Sequence, residues 1–306
     1  MRLRFWGTRG SIPTPGPYTV KYGGNTLCLE LRFPEANDRL IIIDAGSGIR
    51  ELGHSLMFHG GSRRSLKMDI FLTHTHWDHI IGLPFFAPIY FQGNTATIYG
   101  PVTFEPENLE QIVGGLLTYR YFPVRQTELA AQITYRQLKE GEYDLGDGIR
   151  LQTQYLNHPL LCLAYRFEYK GKSICTGYDH EPVRNLFCTS PEDPSYNEIM
   201  ALEGEEAAAA ATRRLDAFFQ GSDLLIHDAQ YTQKEYEKSR IGWGHTPMEY
   251  AIETGIRSGV KRLALFHHEP MRRDSELERL SEKLCHERYP EGMEVFFARE
   301  GFEIGL

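Results

Sequence analysis

The chain of 306 residues has few of the features that mark exported, membrane-spanning or nucleic-acid-trapping proteins. It has only five cysteines, Cys28, Cys162, Cys175, Cys188 and Cys285, and none share a short spacing. An odd number without a framework argues for reduced thiols and a cytoplasmic address. No run approaches the roughly 18 apolar residues of a membrane span. The opening MRLRFWGTRGS sets charges and glycine where a secretory signal needs an apolar stretch, so no membrane association is expected. Basic excess is also lacking: 33 Lys and Arg stand against 41 Asp and Glu, a formal charge of -8. Overall charge therefore supplies no trap for a polyanion, although a local basic groove is still allowed. What is present, 41% hydrophobic and 24% charged residues, is the balance of a folded globular protein.

Elements alternate along the chain. Strand patterns fall at 2–6 and 26–33, around a Gly- and Pro-rich loop that either crosses the mouth of a site or is disordered. RLIIIDAGSG at 39–48 and KMDIFLTH at 67–74 read as buried strands running into turns. A short or broken helix follows at 78–90, because Pro84 and Pro88 interrupt it. Further strands are expected at TATIYG, 132–138, 149–157, 161–169 and 172–178, and a helix at 105–118. The carboxyl half alternates helices at 195–220, 246–259 and 275–289 with strands at 223–228, 261–268 and MEVFFA. The simplest arrangement is two mixed sheets packed together with helices outside.

Chemistry concentrates in His74, Thr75, His76, Trp77, Asp78 and His79. Period-two spacing lets His74 and His76 reach one cation from a strand end, while Asp78 and His79 address a second position. An isolated histidine is usually an ordinary core or surface residue, but four potential ligands in six positions are not. Later strand ends add His158, Asp179 and His267; neutral imidazoles and carboxylates suit zinc, manganese or iron, and a carboxylate between two cations offsets their repulsion.

HTHWDH resembles the HxHxDH signature of the metallo-beta-lactamase superfamily of hydrolases, and the later segments follow in that family's order along essentially the whole chain. The resemblance implies an α+β fold, a four-layer αββα sandwich of two mixed β-sheets with outer helices. It implies one hydrolase domain over 1–306, with candidate substrate-covering insertions near 101–135 and 183–222. It implies two divalent metal ions, zinc first and manganese or iron as alternatives. RLIIIDAGSG makes Asp44 an organiser of ligands. LNHP puts His158 with His74 and His76 on the first metal; CTGYDHEP makes Asp179 the bridge; LFHHEP puts His267 with Asp78 and His79 on the second. His268 could replace His267 if the strand phase is misread, and His180 stands in the same relation to Asp179. Tyr178 departs from the glycine-aspartate order of the RNA-processing relatives.

IHDAQYT and GHTP resemble paired segments of the transfer-RNA 3' end nuclease and phosphodiesterase branch. By that likeness His245 protonates the leaving phosphate oxygen and Asp228 orients it. The ordinary readings are a histidine opening a helix and a strand-end carboxylate accepting backbone hydrogens. The expected reaction is hydrolysis of a small phosphodiester, a cyclic nucleotide being one candidate, by hydroxide held between two metals, with Asp78 also holding the water. The alternative is an RNA 3' end-processing endonuclease; a thioester or lactam hydrolase and a binding protein that keeps only the fold are further ones. Neither 101–135 nor 183–222 has the basic run expected of an RNA-gripping arm. Arg9 is a candidate phosphate clamp or a surface arginine. Tyr119, Tyr121 and Phe122 either cover a nucleobase or belong to a core or interface. Asp274 is expected to be structural, and a homodimer fits the likeness.

Overall fold

A computed structural model describes residues 1–58, 65–104, 106–285 and 289–306, with residue 291 described in its backbone only. Its first sheet holds β1 (Arg2–Gly7), β2 (Cys28–Phe33), β3 (Arg39–Ile43), β4 (Lys67–Phe71), β5 (Thr95–Pro101) and β6 (Gln132–Leu138). Its second holds β7 (Gly141–Gly146), β8 (Ile149–Tyr155), β9 (Leu163–Tyr169), β10 (Lys172–Gly177), β11 (Leu224–Asp228), β12 (Arg262–Phe266) and β13 (Glu294–Phe297). The last strand, β14 (Glu303–Gly305), returns to the first sheet beside β1, so the orders are β14-β1-β2-β3-β4-β5-β6 and β13-β12-β11-β10-β9-β8-β7. Each sheet is antiparallel in one part and parallel from β3 to β6 or from β10 to β13.

Sequence pattern follows this pairing. The parallel strands β3 and β11 are covered on both faces, which is why Leu40–Ile43 and Leu224–Ile226 are continuous apolar runs. In antiparallel β1, burial alternates, with Leu3 and Phe5 inward and Arg2 and Arg4 outward. The β9–β10 turn puts Lys170 and Gly171 both at positive φ, as a two-residue hairpin requires. Between the sheets lie Phe5, Leu31, Ile41, Phe71, Tyr165, Phe167, Ile226 and Phe266. At about 1.5–3 kcal/mol for each large side chain removed from water, this layer is the main force holding the sheets together.

Helices α1 (Ile49–Phe58) and α3 (Leu109–Gly114) cover the first sheet through Ile49, Leu52, Leu109 and Val113. Helices α4 (Glu198–Phe219), α6 (Met248–Arg257) and α7 (Asp274–Leu284) cover the second through Phe219, Met248, Ile252 and Leu277. The result is the four-layer αββα sandwich with mixed sheets. Two short helices lie on the rim, α2 (Trp77–Ile80) and α5 (Gln233–Ser239). The 78–90 segment gives only one α-helical turn, then 3₁₀ turns around Pro84 and Pro88, since proline denies the helix its donors. Helix α3 is shorter than 105–118, of which residue 105 lies outside the described residues. Likewise α7 stops at Leu284, and 286–288 of the expected 275–289 helix lie outside them. No helix among the described residues is long and apolar enough to cross a membrane.

Candidate metal centre

The carboxyl ends of β3, β4, β10, β11 and β12 converge on one edge of the sandwich, and a polar cluster is built there. The parallel strands end together, so the loops that follow them meet at one place. Strand β4 runs into Leu72, Thr73 and His74, and α2 begins at Trp77, which turns Asp78 and His79 back towards the strand end. His74 Nε2 lies 2.9 Å from His76 Nδ1, and His158 Nε2 lies 3.2 Å from that same atom. Asp179 Oδ2 is 3.5 Å from His74 Nε2 and 3.9 Å from His158 Nε2. On the other side, Asp179 Oδ1 is 3.2 Å from both His79 Nε2 and His267 Nε2. Asp78 Oδ2 closes this group at 3.6 Å from His79 and 3.3 Å from His267.

Two four-residue donor sets result, His74, His76, His158 and Asp179, and Asp78, His79, Asp179 and His267; in each, one ligand atom per residue lies within 4.8 Å of the others. Asp179 is common to both and turns one oxygen to each. Bonds of about 2.1 Å in a tetrahedron put ligand atoms roughly 3.4 Å apart, the middle of the spacings seen here. A second observation bears on the fit. His79 Nε2 and Asp179 Oδ1 are buried and make no hydrogen bond among the described residues. Such orphaned atoms are costly unless a cation takes their lone pairs. The donor chemistry, five imidazoles and two carboxylates, suits first-row divalent ions.

Surrounding groups fix which ring atom faces inward. Asp44 Oδ2 accepts from His79 Nδ1 at 2.8 Å, and its carboxylate also accepts from the Thr73 N–H and hydroxyl. Gly244 carbonyl accepts from His158 Nδ1 at 3.0 Å, which frees Nε2. Thr73 Oγ1 lies 3.2 Å from His74 Nδ1. Burial pushes the pKa values of His74, His76 and His158 down, so these rings are neutral, the form that ligates a metal. At His79 and His267 burial works in the same direction, but Asp179, Asp78 and a further carboxylate outweigh it; His267 is pushed up to about 9. Asp179 is held well below the usual range because His267, His79 and His74 overcome the cost of its burial.

The Gly- and Pro-rich loop after β1 lies against the site. The Ser11 N–H donates to Asp78 Oδ2 at 2.7 Å, and Gly10 sits so close to His267 that a Cβ would fall 2.2 Å from ring atom Cε1. Besides Ser11 at φ 64°, the site residues Asp44 and His267 have left-handed backbones, at φ 60° and 59°. Both stand directly after a parallel strand, and backbone strain of this kind gathers where function requires a fixed direction.

Beside the second donor set, Asp228 Oδ2 accepts from His245 Nδ1 at 3.0 Å and from the Thr246 N–H at 3.2 Å. The His245 ring stacks on His267, centroids 4.7 Å apart and planes 24° apart.

A family model described as Metallo-beta-lactamase superfamily matches residues 22–95. Ribonuclease Z from Trichodesmium erythraeum (strain IMS101) is 27% identical over 300 residues, covering 88% of this chain and 84% of that protein. Among solved structures, the metallo-beta-lactamase fold protein YhfI from Bacillus subtilis aligns with TM-score 0.63 at 16% identity, over 99% of this chain and 98% of its own. Human tRNase Z, short form, aligns with TM-score 0.61 at 19% identity, over 100% and 99%. A metallo-beta-lactamase superfamily model thus matches part of the chain, and the fold is that of solved metallo-beta-lactamase fold proteins.

The fold brings together His74, His76, Asp78, His79, His158, Asp179 and His267, with Asp228 and His245 alongside. It does not bring His268 or His180 in. His268 turns away, donates from Nε2 to the Ala298 carbonyl at 2.7 Å and, by burial first, is pushed down to about 3. His180 is buried and accepts from the Asn157 N–H at 3.2 Å. Arg9 is neither clamp nor surface residue: it is fully buried, donates to the carbonyls of Gly23, Glu269 and Arg272, and lies 3.5 Å from Asp274. Tyr119 and Tyr121 are not core residues, for both are exposed. Arg125 stacks on Tyr119, and Phe122 meets Phe85 edge-on. Tyr178, between Gly177 and Asp179, points into the layer between the sheets and stacks on Phe266 at 4.9 Å. Sequence reasoning missed Gly10, Ser11, Thr73 and Gly244; only Thr73, directly before His74, had a local signal.

Proposed function

We propose that this protein is a metal-dependent phosphodiester hydrolase that processes RNA 3' ends, with His74, His76, His158 and Asp179 holding one divalent ion and Asp78, His79, Asp179 and His267 the other, zinc in both. The observation that carries the reaction class is the shared carboxylate of Asp179 together with the His245–Asp228 pair stacked on the second set. Two bound divalent ions supply Lewis acidity towards phosphate oxygens and lower the pKa of coordinated water. Asp228 accepts from His245 Nδ1 and so fixes the ring's direction, leaving Nε2 as the atom from which His245 can deliver a proton to a departing alkoxide. Asp78, which receives the Ser11 N–H, orients the attacking water.

Support for RNA as substrate comes from relatives named ribonuclease Z, which align over nearly nine-tenths of this chain. A second reading, a small phosphodiester such as a cyclic nucleotide, is favoured by charge. The 101–135 segment has Arg120 and Arg125 against four acidic residues, and 183–222 has three arginines against seven. Zinc-loaded protein incubated with a 3'-extended transfer-RNA precursor, and separately with 2',3'- and 3',5'-cyclic nucleotides, separates the readings. Cleavage at the precursor's 3' side supports the first; ring opening without precursor cleavage replaces it with the second; turnover of neither refutes the phosphodiesterase reading.

A further inference from the structure

The loop Arg240–Gly244 joins α5 to His245, and one buried carboxylate anchors it. Glu181 accepts from the Tyr236 hydroxyl at 2.7 Å, the Gly242 N–H at 2.7 Å and the Gly244 N–H at 2.8 Å. Gly242 and Gly244 have φ of 86° and 82°, and a Cβ on Gly244 would lie 2.6 Å from His158 Nδ1, so the loop is held against the first donor set. Its outer face is a three-layer stack. Trp243 is 56% exposed. The Arg240 guanidinium lies 4.4 Å from the Trp243 ring and 5.6 Å from that of Tyr231, and Tyr231 meets His245 edge-on at 6.2 Å.

Three features of this stack call for a ligand. The rigid backbone presents an indole to water, although a large aromatic gains most when covered. Arg240 has no carboxylate partner among the described residues and reaches only the Ser239 carbonyl at 3.5 Å, in a chain where acids outnumber bases. The loop and its stack also touch the centre at two points, the loop at His158 through Gly244 and the stack at His245 through Tyr231.

We propose that Arg240–Gly244 is a nucleotide-binding platform: the base next to the scissile phosphate stacks on Trp243, and the Arg240 guanidinium faces the neighbouring phosphate. The inference rests on the phosphodiesterase reading and narrows its substrate to diesters that carry a nucleobase beside the bond broken. Stacking on an aromatic side chain tolerates any base, so the platform supplies affinity without sequence preference.

The test compares kcat/KM of the metal-loaded full chain on thymidine 5'-(p-nitrophenyl phosphate) and on methyl p-nitrophenyl phosphate, which has no base. Trp243→Leu and Arg240→Gln should each lower the ratio of the two on the order of tenfold, through KM rather than kcat. AMP should quench wild-type indole fluorescence, and that quenching should be lost in Trp243→Leu. If both esters turn over and the variants keep the wild-type ratio, the platform is overturned while the reaction class stands. If neither ester turns over, AMP quenching alone decides the platform, dependence on Trp243 keeping it and independence overturning it, while the phosphodiesterase reading stands or falls on the precursor and cyclic-nucleotide assays.

Discussion

Replacing Gly10 with Ala tests how closely the first loop defines the second donor set. The added Cβ would lie 2.2 Å from His267 Cε1 and 2.3 Å from Nδ1. Ordinary carbon contacts are about 3.5–4.0 Å, so the ring must retreat by roughly 1.2–1.8 Å. His267 Nε2 starts 3.2 Å from Asp179 and 3.3 Å from Asp78. A retreat of that size takes it past the roughly 3.4 Å ligand spacing of a tetrahedral site and leaves three donors. His74, His76, His158 and Asp179 stay as they are. Gly10 is not at positive φ, so Ala brings no backbone penalty, and the overpacking costs about 1–3 kcal/mol, too little to unfold the chain. Competition of zinc against a chromophoric chelator should therefore show two tight sites in the wild type. In Gly10→Ala it should show one, with the other weakened at least 10–100-fold, the range typical of disturbed ligand geometry. Two undiminished tight sites, with an unchanged circular dichroism spectrum, would refute the argument.

Three other perturbations read other parts of the centre. Asp44→Asn keeps a residue type tolerated at left-handed φ but removes the charge that orients His79; zinc affinity should fall about 10–100-fold by chelator competition, and unchanged affinity would rule out the orienting role. His267 is pushed up to about 9, so in the metal-free fold it keeps its proton at neutral pH and must lose it to bind a cation. Because His79 in the same set is also pushed up and must lose its proton too, zinc affinity should rise at least about tenfold per pH unit between roughly pH 7 and 9. The metal-free protein should lose stability over the same window, as pH climbs from His267's unfolded value near 6.5 through 9. A pH-independent affinity between 7 and 9 contradicts this. His245→Ala should lower kcat by about 10²–10⁴ with two zinc ions still bound, measured by turnover and metal analysis; full activity would remove it from leaving-group chemistry.

The parts legible in the sequence were those written in short local patterns. HTHWDH, LNHP and GYDHEP each follow a run of strand-forming residues, and buried parallel strands announce themselves by continuous apolar stretches. Weak or non-local patterns hid the rest. GEYDLG of β7 is half-exposed and looks like a turn, and β14 has three residues. Helix α1 begins beside glycines, and only its contact with Phe86 and Pro88 across Gly53 shows why it packs there. Arg9 is held by carbonyls some 260 residues away. The choice between His267 and His268 could not come from strand alternation, because the left-handed φ at His267 breaks the alternation at that residue.

The assignment of donors to sheets has a thermodynamic consequence. In each donor set two residues follow strands of the first sheet, His74 with His76 and Asp78 with His79, and two follow strands of the second, His158 with Asp179 and Asp179 with His267. Neither half of the chain can complete a site alone, so an ion bound in either set would clasp the halves together. Bound at a hundred times its dissociation constant, one such ion adds about 2.7 kcal/mol to the folded state. Since that energy is lost as soon as the sheets part, a chelator should lower the melting temperature of the whole sandwich in one transition and not merely loosen its rim.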